Sequence, residues 1–263
     1  MTSELFRGGR IYNISLSDIE YIGYFYGERG NEEVKSAKTR ITKLRGRAPD
    51  FLMNAELFDF KTREAASDVV ANGEVVRLGE GYGIAFPENK TAVFSYKNNV
   101  NAADYVGAYP TLVRNGAEEN QNPAGITGRR GRTALGLNGK SLFVALIPDK
   151  NGATLSELRK KFISAGAKDA INLDGGGSTQ FYAPAGNHFS GRRVRGFVGI
   201  WVRGGNRRRV SVRTSLNVRS GPGLWYSRVG RFYNGDVVTV TEEQGLWSKT
   251  PAGWVYSSYL EKI

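Results

Sequence analysis

The segment Asn172-Leu-Asp-Gly-Gly-Gly-Ser-Thr179 sets one acid, three successive glycines and two hydroxyls side by side. Asp174 is a carboxylate able to serve as acid, base or nucleophile. Glycines without a Cβ let the backbone approach a ligand closely and turn N–H groups toward an anion. The same string also reads as a flexible turn capped by Asp174, and it lacks the lysine of a nucleotide-binding loop. His188, the one histidine, lies ten residues beyond Ser178 and raises a serine–histidine–aspartate arrangement with Asp174. Nothing in the chain resembles the nucleophile elbow that would present such a serine. With Gly186, Asn187 and Ser190 around it, His188 reads as part of a rim loop. With no cysteine and a single histidine, the chain cannot build a zinc finger, a thiol nucleophile, an iron–sulfur site or a disulfide framework. No cofactor is expected. A metal would have to rest on oxygen ligands, which leaves calcium or magnesium open.

The elements that would hold Asp174 are readable around it. An apolar run Ser141 to Pro148 is followed by a helix signal and a second run, Ala170 to Leu173. The helix begins with Thr154-Leu-Ser-Glu157, a capping-box pattern, carries Leu155, Leu158, Phe162 and Ile163 on one face and stops at Gly166. Strand, helix and strand predict a parallel pair with a right-handed crossover. Asp149 and Asp174 then both sit just past the carboxyl ends of strands, where open α/β sheets place ligands. Further strand-like runs, Tyr21 to Tyr26, Val93 to Tyr96, Thr133 to Leu137 and Phe197 to Val202, make the expected fold a mixed-sheet α/β (α+β) domain.

The 263 residues carry 37 basic and 25 acidic side chains, a net +12, which leaves a polyanionic partner open. Between Asp174 and Asp236 there is no acid and no lysine, but there are eleven arginines. Arg203-Gly-Gly-Asn-Arg-Arg-Arg209 within that interval reads as a connector, giving a domain over 1–205, a basic linker over 206–209 and a second domain over 210–263. Both pieces are basic: 28 basic against 21 acidic residues before position 206, 9 against 4 after it. The longest apolar run, Leu142 to Pro148, is far short of the roughly 20 residues that cross a bilayer, so no membrane insertion is expected. The opening Met1 to Arg10 has no signal-peptide core. Action outside a cell then requires release or export by other means, as for a phage or lysis product or a trimmed mature form, and a cytoplasmic site stays open.

Four blocks, in order, resemble the phosphodiester glycosidase family. They are Met53-Asn-Ala-Glu-Leu-Phe-Asp59, the stretch Gly107 to Gly116 with Pro110, Leu112 and Val113, the stretch from Gly131-Arg-Thr-Ala-Leu-Gly136 to Asp149, and Asn172 to Ser178. A looser fifth block is Arg192-Arg-Val194. The likeness covers about residues 50 to 202. Ala55-Glu56 replaces small residues of the family pattern and Arg193 replaces a proline, so Glu56 either narrows the pocket or adds an acid. The resemblance implies hydrolysis of a sugar-1-phosphodiester, which needs a carboxylate pair at the anomeric carbon and cations for the diester. Under it, Asp174 is the first catalytic carboxylate and Asp59, Glu56 and Asp149 compete to be the second. Each of these three also has a structural reading, as a turn cap or an arginine partner. Asn54, Asn172, Ser178 and Thr179 would orient sugar hydroxyls, the amides of Gly175, Gly176 and Gly177 would face phosphate or sugar oxygens, and Arg132 and Arg192 would clamp the phosphate.

The C-terminal piece resembles a bacterial SH3-like domain through Leu216-Asn-Val-Arg-Ser-Gly-Pro222, Gly235-Asp236, Trp247, Gly253-Trp-Val255 and Tyr259-Leu260. The alternation of Val237, Val238 and Val240 with polar neighbours independently predicts short antiparallel strands, hence a small all-β barrel. The resemblance implies cell-wall binding through Asn217, Arg219, Trp247 and Tyr256, although Trp225, Tyr226, Trp247 and Tyr256 read equally as core or as surface. The expected function is a hydrolase for a phosphodiester-linked glycan of a bacterial surface, with a wall-binding or virion structural protein as the alternative. Nucleic acid is not expected as a partner, because the arginines are dispersed and no nucleic-acid motif is present.

Overall fold

A computed structural model describes all residues except 28–30, 60, 63, 79–80, 88–91, 97–100, 124, 204–205 and 263. The run Ser141–Ile147 is apolar throughout because both of its faces are covered. Leu142, Val144 and Leu146 point into the central core, while Phe143, Ala145 and Ile147 pack with the helix Leu155–Ser164. That helix, Leu155–Ser164, buries Leu155, Leu158 and Phe162, each worth about 1.5–3 kcal/mol when fully buried. Thr154 accepts from the Glu157 N–H at 3.2 Å and the Glu157 carboxylate accepts from the Thr154 N–H at 3.0 Å, so the predicted capping box is formed. A second helix, Val34–Arg45, seats Val34, Ala37 and Ile41 on the other side of the domain, against Phe25, Leu52, Phe197 and Trp201.

Two antiparallel sheets lie between the helices. The seven-stranded sheet runs in the order Thr2–Phe6, Gly9–Ser15, Ser141–Ile147, Arg132–Leu137, Asp169–Asn172, Thr111–Arg114, Ala117–Glu118. The five-stranded sheet runs Gly186–His188, Phe181–Ala183, Phe51–Asn54, Gly196–Val202, Ile19–Tyr26. Their inner faces share one core that includes Ile14, Val144, Ile171, Met53 and Val198. A third sheet of five strands, with Val69–Ala71, Tyr82–Phe86 and Asp104–Gly107 at its middle, adds Val69, Ile84 and Val106 to it.

Two expectations need correction. The domain is mostly β, with two α-helices among the described residues, so the expected mixed-sheet α/β (α+β) description fits it only in part. Ser141–Ile147 and Asp169–Asn172 are not neighbours either: Arg132–Leu137 lies between them and pairs antiparallel with both. The crossover therefore skips one strand, and the two flanking strands still end at the same edge of the sheet, with Asp149 and Asp174 beyond them.

The stretch read as a linker is also ordered differently. Asn206–Val210 is the middle strand of a three-stranded sheet, between Val237–Val240 and Leu260–Lys262. The remaining C-terminal strands form a five-stranded sheet ordered Arg228–Tyr233, Ser215–Arg219, Gly253–Tyr256, Trp247–Thr250, Glu242–Gln244. Val210, Leu216, Val218, Phe232, Val238 and Val255 fill the space between the two sheets. Among the described residues the strands make two sheets and not the closed barrel expected.

Candidate active site

Asp174 stands where the two large sheets meet at their open ends. Its N–H donates to the Ala55 carbonyl at 2.9 Å. Its carbonyl accepts from Asn54 Nδ2 at 2.7 Å and from Thr133 Oγ1 at 2.8 Å. Asn54 also accepts the Gln180 N–H on its Oδ1 at 3.1 Å, so one buried amide ties the Asn172–Thr179 segment to the strand Phe51–Asn54. Asn54 is thus a brace for the Asp174 backbone.

The glycines after Asp174 fold into a tight turn. Gly176 has φ +59°, which favours glycine, and a Cβ on Gly175 would lie 2.6 Å from the Gly131 carbonyl oxygen. Two of the three amides are spent within the protein: Gly175 N–H donates to Asp174 Oδ1 at 2.8 Å and Gly176 N–H to the Gly131 carbonyl at 2.9 Å. What the turn presents is its bare Cα surface, flanked by two guanidinium groups. A Cβ on Gly177 would fall 2.8 Å from Arg192 Nη2, and one on Gly176 would fall 3.8 Å from Arg130 Nη1. Arg192 donates through Nη1 to Ser178 Oγ at 3.1 Å. The Ser178 hydroxyl is thereby held by an arginine, and His188 packs on Phe181 with ring centroids 5.7 Å apart in an edge strand, which leaves no support for a serine–histidine pair.

Asp174 is 8% exposed, and its Oδ2 is buried without a hydrogen bond. Burial pushes its pKa up to about 6, against the Ser178 hydroxyl, the Gly175 N–H and the charge of Arg192. Glu56, 1% exposed, lies close by with neither carboxylate oxygen hydrogen-bonded. Burial raises its pKa to about 8, opposed by Arg195, whose Nε is 3.8 Å from Oε1, and reinforced by the charge of Asp174. Two interacting buried carboxyls of unequal pKa can divide acid and base work at neutral pH. Asn172 Oδ1 and Thr179 Oγ1 are also buried without partners. Asn172 Nδ2 is spent on the carbonyls of Leu173 at 2.6 Å and Tyr109 at 3.2 Å.

Three other proposed site residues are occupied elsewhere. Asp59 is exposed and caps a turn, accepting the Lys61 and Thr62 N–H groups at 2.7 and 2.9 Å, which hold its pKa down. Asp149 is exposed and accepts the Gly131 N–H at 2.6 Å, bracing the glycine turn from behind. Arg132, 1% exposed, donates to the carbonyls of Ala153 at 3.0 Å, Gly128 at 2.9 Å and Ile126. Burial lowers its pKa to about 10, and its guanidinium is not free to clamp a phosphate. Arg130 and Arg195, which the sequence does not single out, take the places beside the turn and beside Glu56. No group of three or more Asp, Glu or His side chains placed to hold a metal ion occurs among the described residues.

In the C-terminal unit Asn217, Arg219, Trp247 and Tyr256 line one groove of about 620 Å³, together with Leu216 and Tyr259. Trp247 and Tyr256 meet edge to face at 5.5 Å outside the core, which resolves their reading as surface. Arg219 is partly committed, donating to the carbonyls of Leu224 at 2.6 Å and Tyr226 at 2.8 Å. Trp225 is 82% exposed and does not line the groove.

Residues 50–211 match the phosphodiester glycosidase family and residues 214–261 the bacterial SH3 domain. No curated protein matches the sequence. The catalytic domain of zebrafish N-acetylglucosamine-1-phosphodiester alpha-N-acetylglucosaminidase superposes with a TM-score of 0.56 at 18% identity, over 73% of this chain and 76% of that one. A hypothetical protein from Synechocystis superposes with a TM-score of 0.55 at 13% identity, over 76% of this chain and 61% of that one. At such identities the structures share the fold alone. The matched stretch covers more than half of the sequence, and on that ground the chain belongs to the phosphodiester glycosidase family and carries a bacterial SH3 domain after it.

Proposed function

We propose that the chain hydrolyses the bond between an anomeric carbon and the phosphate of a sugar-1-phosphodiester, giving a free sugar and a phosphomonoester. The observation that carries this reading is the buried pair Glu56 and Asp174, with pKa values raised to about 8 and about 6, beside a glycine turn flanked by Arg130 and Arg192. Near pH 7 Glu56 keeps its proton and Asp174 is ionised. Glu56 then protonates the bridging oxygen as its bond to the anomeric carbon breaks, and Asp174 either takes a proton from the water that attacks that carbon or attacks it directly, giving a glycosyl–enzyme ester that water then hydrolyses to the free sugar. Arg192 and Arg130 offset the charge of the diester and of the departing phosphate. Ser178 is fixed by Arg192 for a sugar hydroxyl.

The groove of Asn217, Trp247 and Tyr256 is proposed to hold the chain on a bacterial surface polymer. Phosphate-bearing wall polymers and capsules supply both diester and negative charge for a protein of net +12. Incubating the full chain with sugar-1-phosphodiesters and purified wall polymers, and following released sugar by mass spectrometry, tests the reaction. Release of neither sugar nor phosphomonoester from any of them removes it. Pull-down on purified walls at low and high salt tests the groove, with binding expected at low salt and weakened at high salt.

A further inference from the structure

A cavity of about 490 Å³ borders the carboxylate pair without containing it. Leu57, which directly follows Glu56, lines one part, and Tyr109, whose carbonyl accepts from Asn172 Nδ2, lines another. The rest comes from the edge of the seven-stranded sheet and from the third sheet. Tyr96 and Tyr109 line it while 45% and 44% exposed, so ring surface is open to a ligand. Gln121 has its Oε1 engaged by the Thr111 N–H at 3.1 Å, which leaves its amide N–H groups to donate. Asp68 is buried at 2% exposure and accepts the Gly81 N–H at 3.1 Å, and exposed Arg77 adds a cation.

The charge balance selects the ligand. Arg114, the other guanidinium here, is paired with Glu119 at 3.0 Å and lies 4.5 Å from the Tyr82 ring centroid. A buried carboxylate opposes a phosphate, and the arginine best placed to offset it is already neutralised. Open tyrosine faces beside a carboxylate, an amide and a guanidinium suit a neutral polyhydroxyl ring, whose C–H face packs on the aromatic ring while its hydroxyls pair at the edge. We propose that this cavity is a second sugar subsite, holding the sugar next to the one whose bond to phosphate is cleaved, so that the chain prefers substrates of at least two sugars. This rests on the phosphodiester glycosidase reading.

The test uses the full chain, Tyr96→Ala and Arg77→Ala, both at exposed positions outside the carboxylate pair. Binding is read by saturation-transfer NMR against neutral di- and trisaccharides of N-acetylglucosamine, glucose, galactose and mannose. Cleavage is read on nitrophenyl phosphodiesters of the mono- and disaccharide. Wild type should bind at least one neutral disaccharide, and Tyr96→Ala should weaken it about tenfold, the scale of one aromatic contact. Both variants should lower kcat/KM on the disaccharide diester and leave the monosaccharide diester unchanged. Disaccharide binding that Tyr96→Ala weakens supports the subsite even where no diester is cleaved, an outcome that counts only against the hydrolase reading. Absence of neutral disaccharide binding, or equal losses on the two diesters, overturns the subsite while leaving the hydrolase reading standing.

Discussion

At the scale of residues, burial holds two neighbouring carboxyls, Glu56 and Asp174, in different protonation states. Activity should rise as Asp174 loses its proton near pH 6 and fall as Glu56 loses its proton near pH 8, a bell-shaped kcat/KM profile centred near neutrality. Glu56→Gln should lower kcat by about 10²–10⁴, the usual contribution of a positioned acid, and erase the alkaline limb. A profile with its alkaline limb intact in that variant would assign the limb to another group. The same burial predicts a stability effect. Because Glu56 holds its proton more tightly folded than unfolded, its contribution is full below about 4.5 and is lost as pH rises toward 8. Glu56→Gln should therefore melt higher than wild type at pH 9, by roughly 2–4 °C for each kcal/mol of ionisation cost removed, and calorimetry checks this. The motif around Asp174 was legible in the sequence because glycines, acid and hydroxyls stand together. Asp59 and Asp149 were not separable from it, since an acid that caps a turn and an acid that faces a substrate leave the same local pattern. Arg192 was named through the family resemblance, whereas Arg130 and Arg195 stand among many arginines, and only the path of the backbone shows that they reach the site.

At the scale of elements, strand direction decides which arginine does what. Arg132 shares its side of the strand with Ala134, toward the helix Leu155–Ser164, and holds the carbonyls of residues 126, 128 and 153. Arg132→Ala leaves those carbonyls unpaired and opens a buried gap, so it should cost about 3 kcal/mol or more of stability, visible in a denaturant titration. Arg192→Ala should leave the melting temperature within a few degrees yet raise KM for the diester about tenfold or more, as loss of a charged hydrogen-bond donor does. The reverse pattern would return the clamp to Arg132. The helix itself, with its capping box and its stop at Gly166, and the strand runs at 21–26, 93–96, 133–137, 141–148, 170–173 and 197–202 were readable from local pattern. The insertion of Arg132–Leu137 between Ser141–Ile147 and Asp169–Asn172 was not, because apolar alternation records which faces are buried and says nothing of which strand lies alongside.

At the scale of the whole molecule, the two units are docked rather than loosely tethered. Arg10 donates to the carbonyls of Ala252 at 2.7 Å and Pro251 at 3.1 Å, Asn187 Nδ2 donates to Asp236 at 3.1 Å, and Arg207 pairs with buried Asp50 at 3.1 Å. The basic stretch before Val210 looked like a linker because arginine-rich, glycine-bearing sequence has no apolar pattern. It is a strand because its backbone pairs on both sides. A fragment beginning at residue 206 should melt cooperatively, and one beginning at 211, which lacks the middle strand of its sheet, should not; equal melting would contradict the assignment of that strand. In the proposed reaction Asp174 acts chemically in a site the fold builds around it. The direct measurement is the rate of sugar release from a cleaved sugar-1-phosphodiester by wild type and by Asp174→Asn, with the melting temperature of each recorded. The variant should fold like wild type and lose turnover by about 10³ or more, the scale seen when a group acting in the transition state is removed. Turnover within a few fold of wild type would contradict that role.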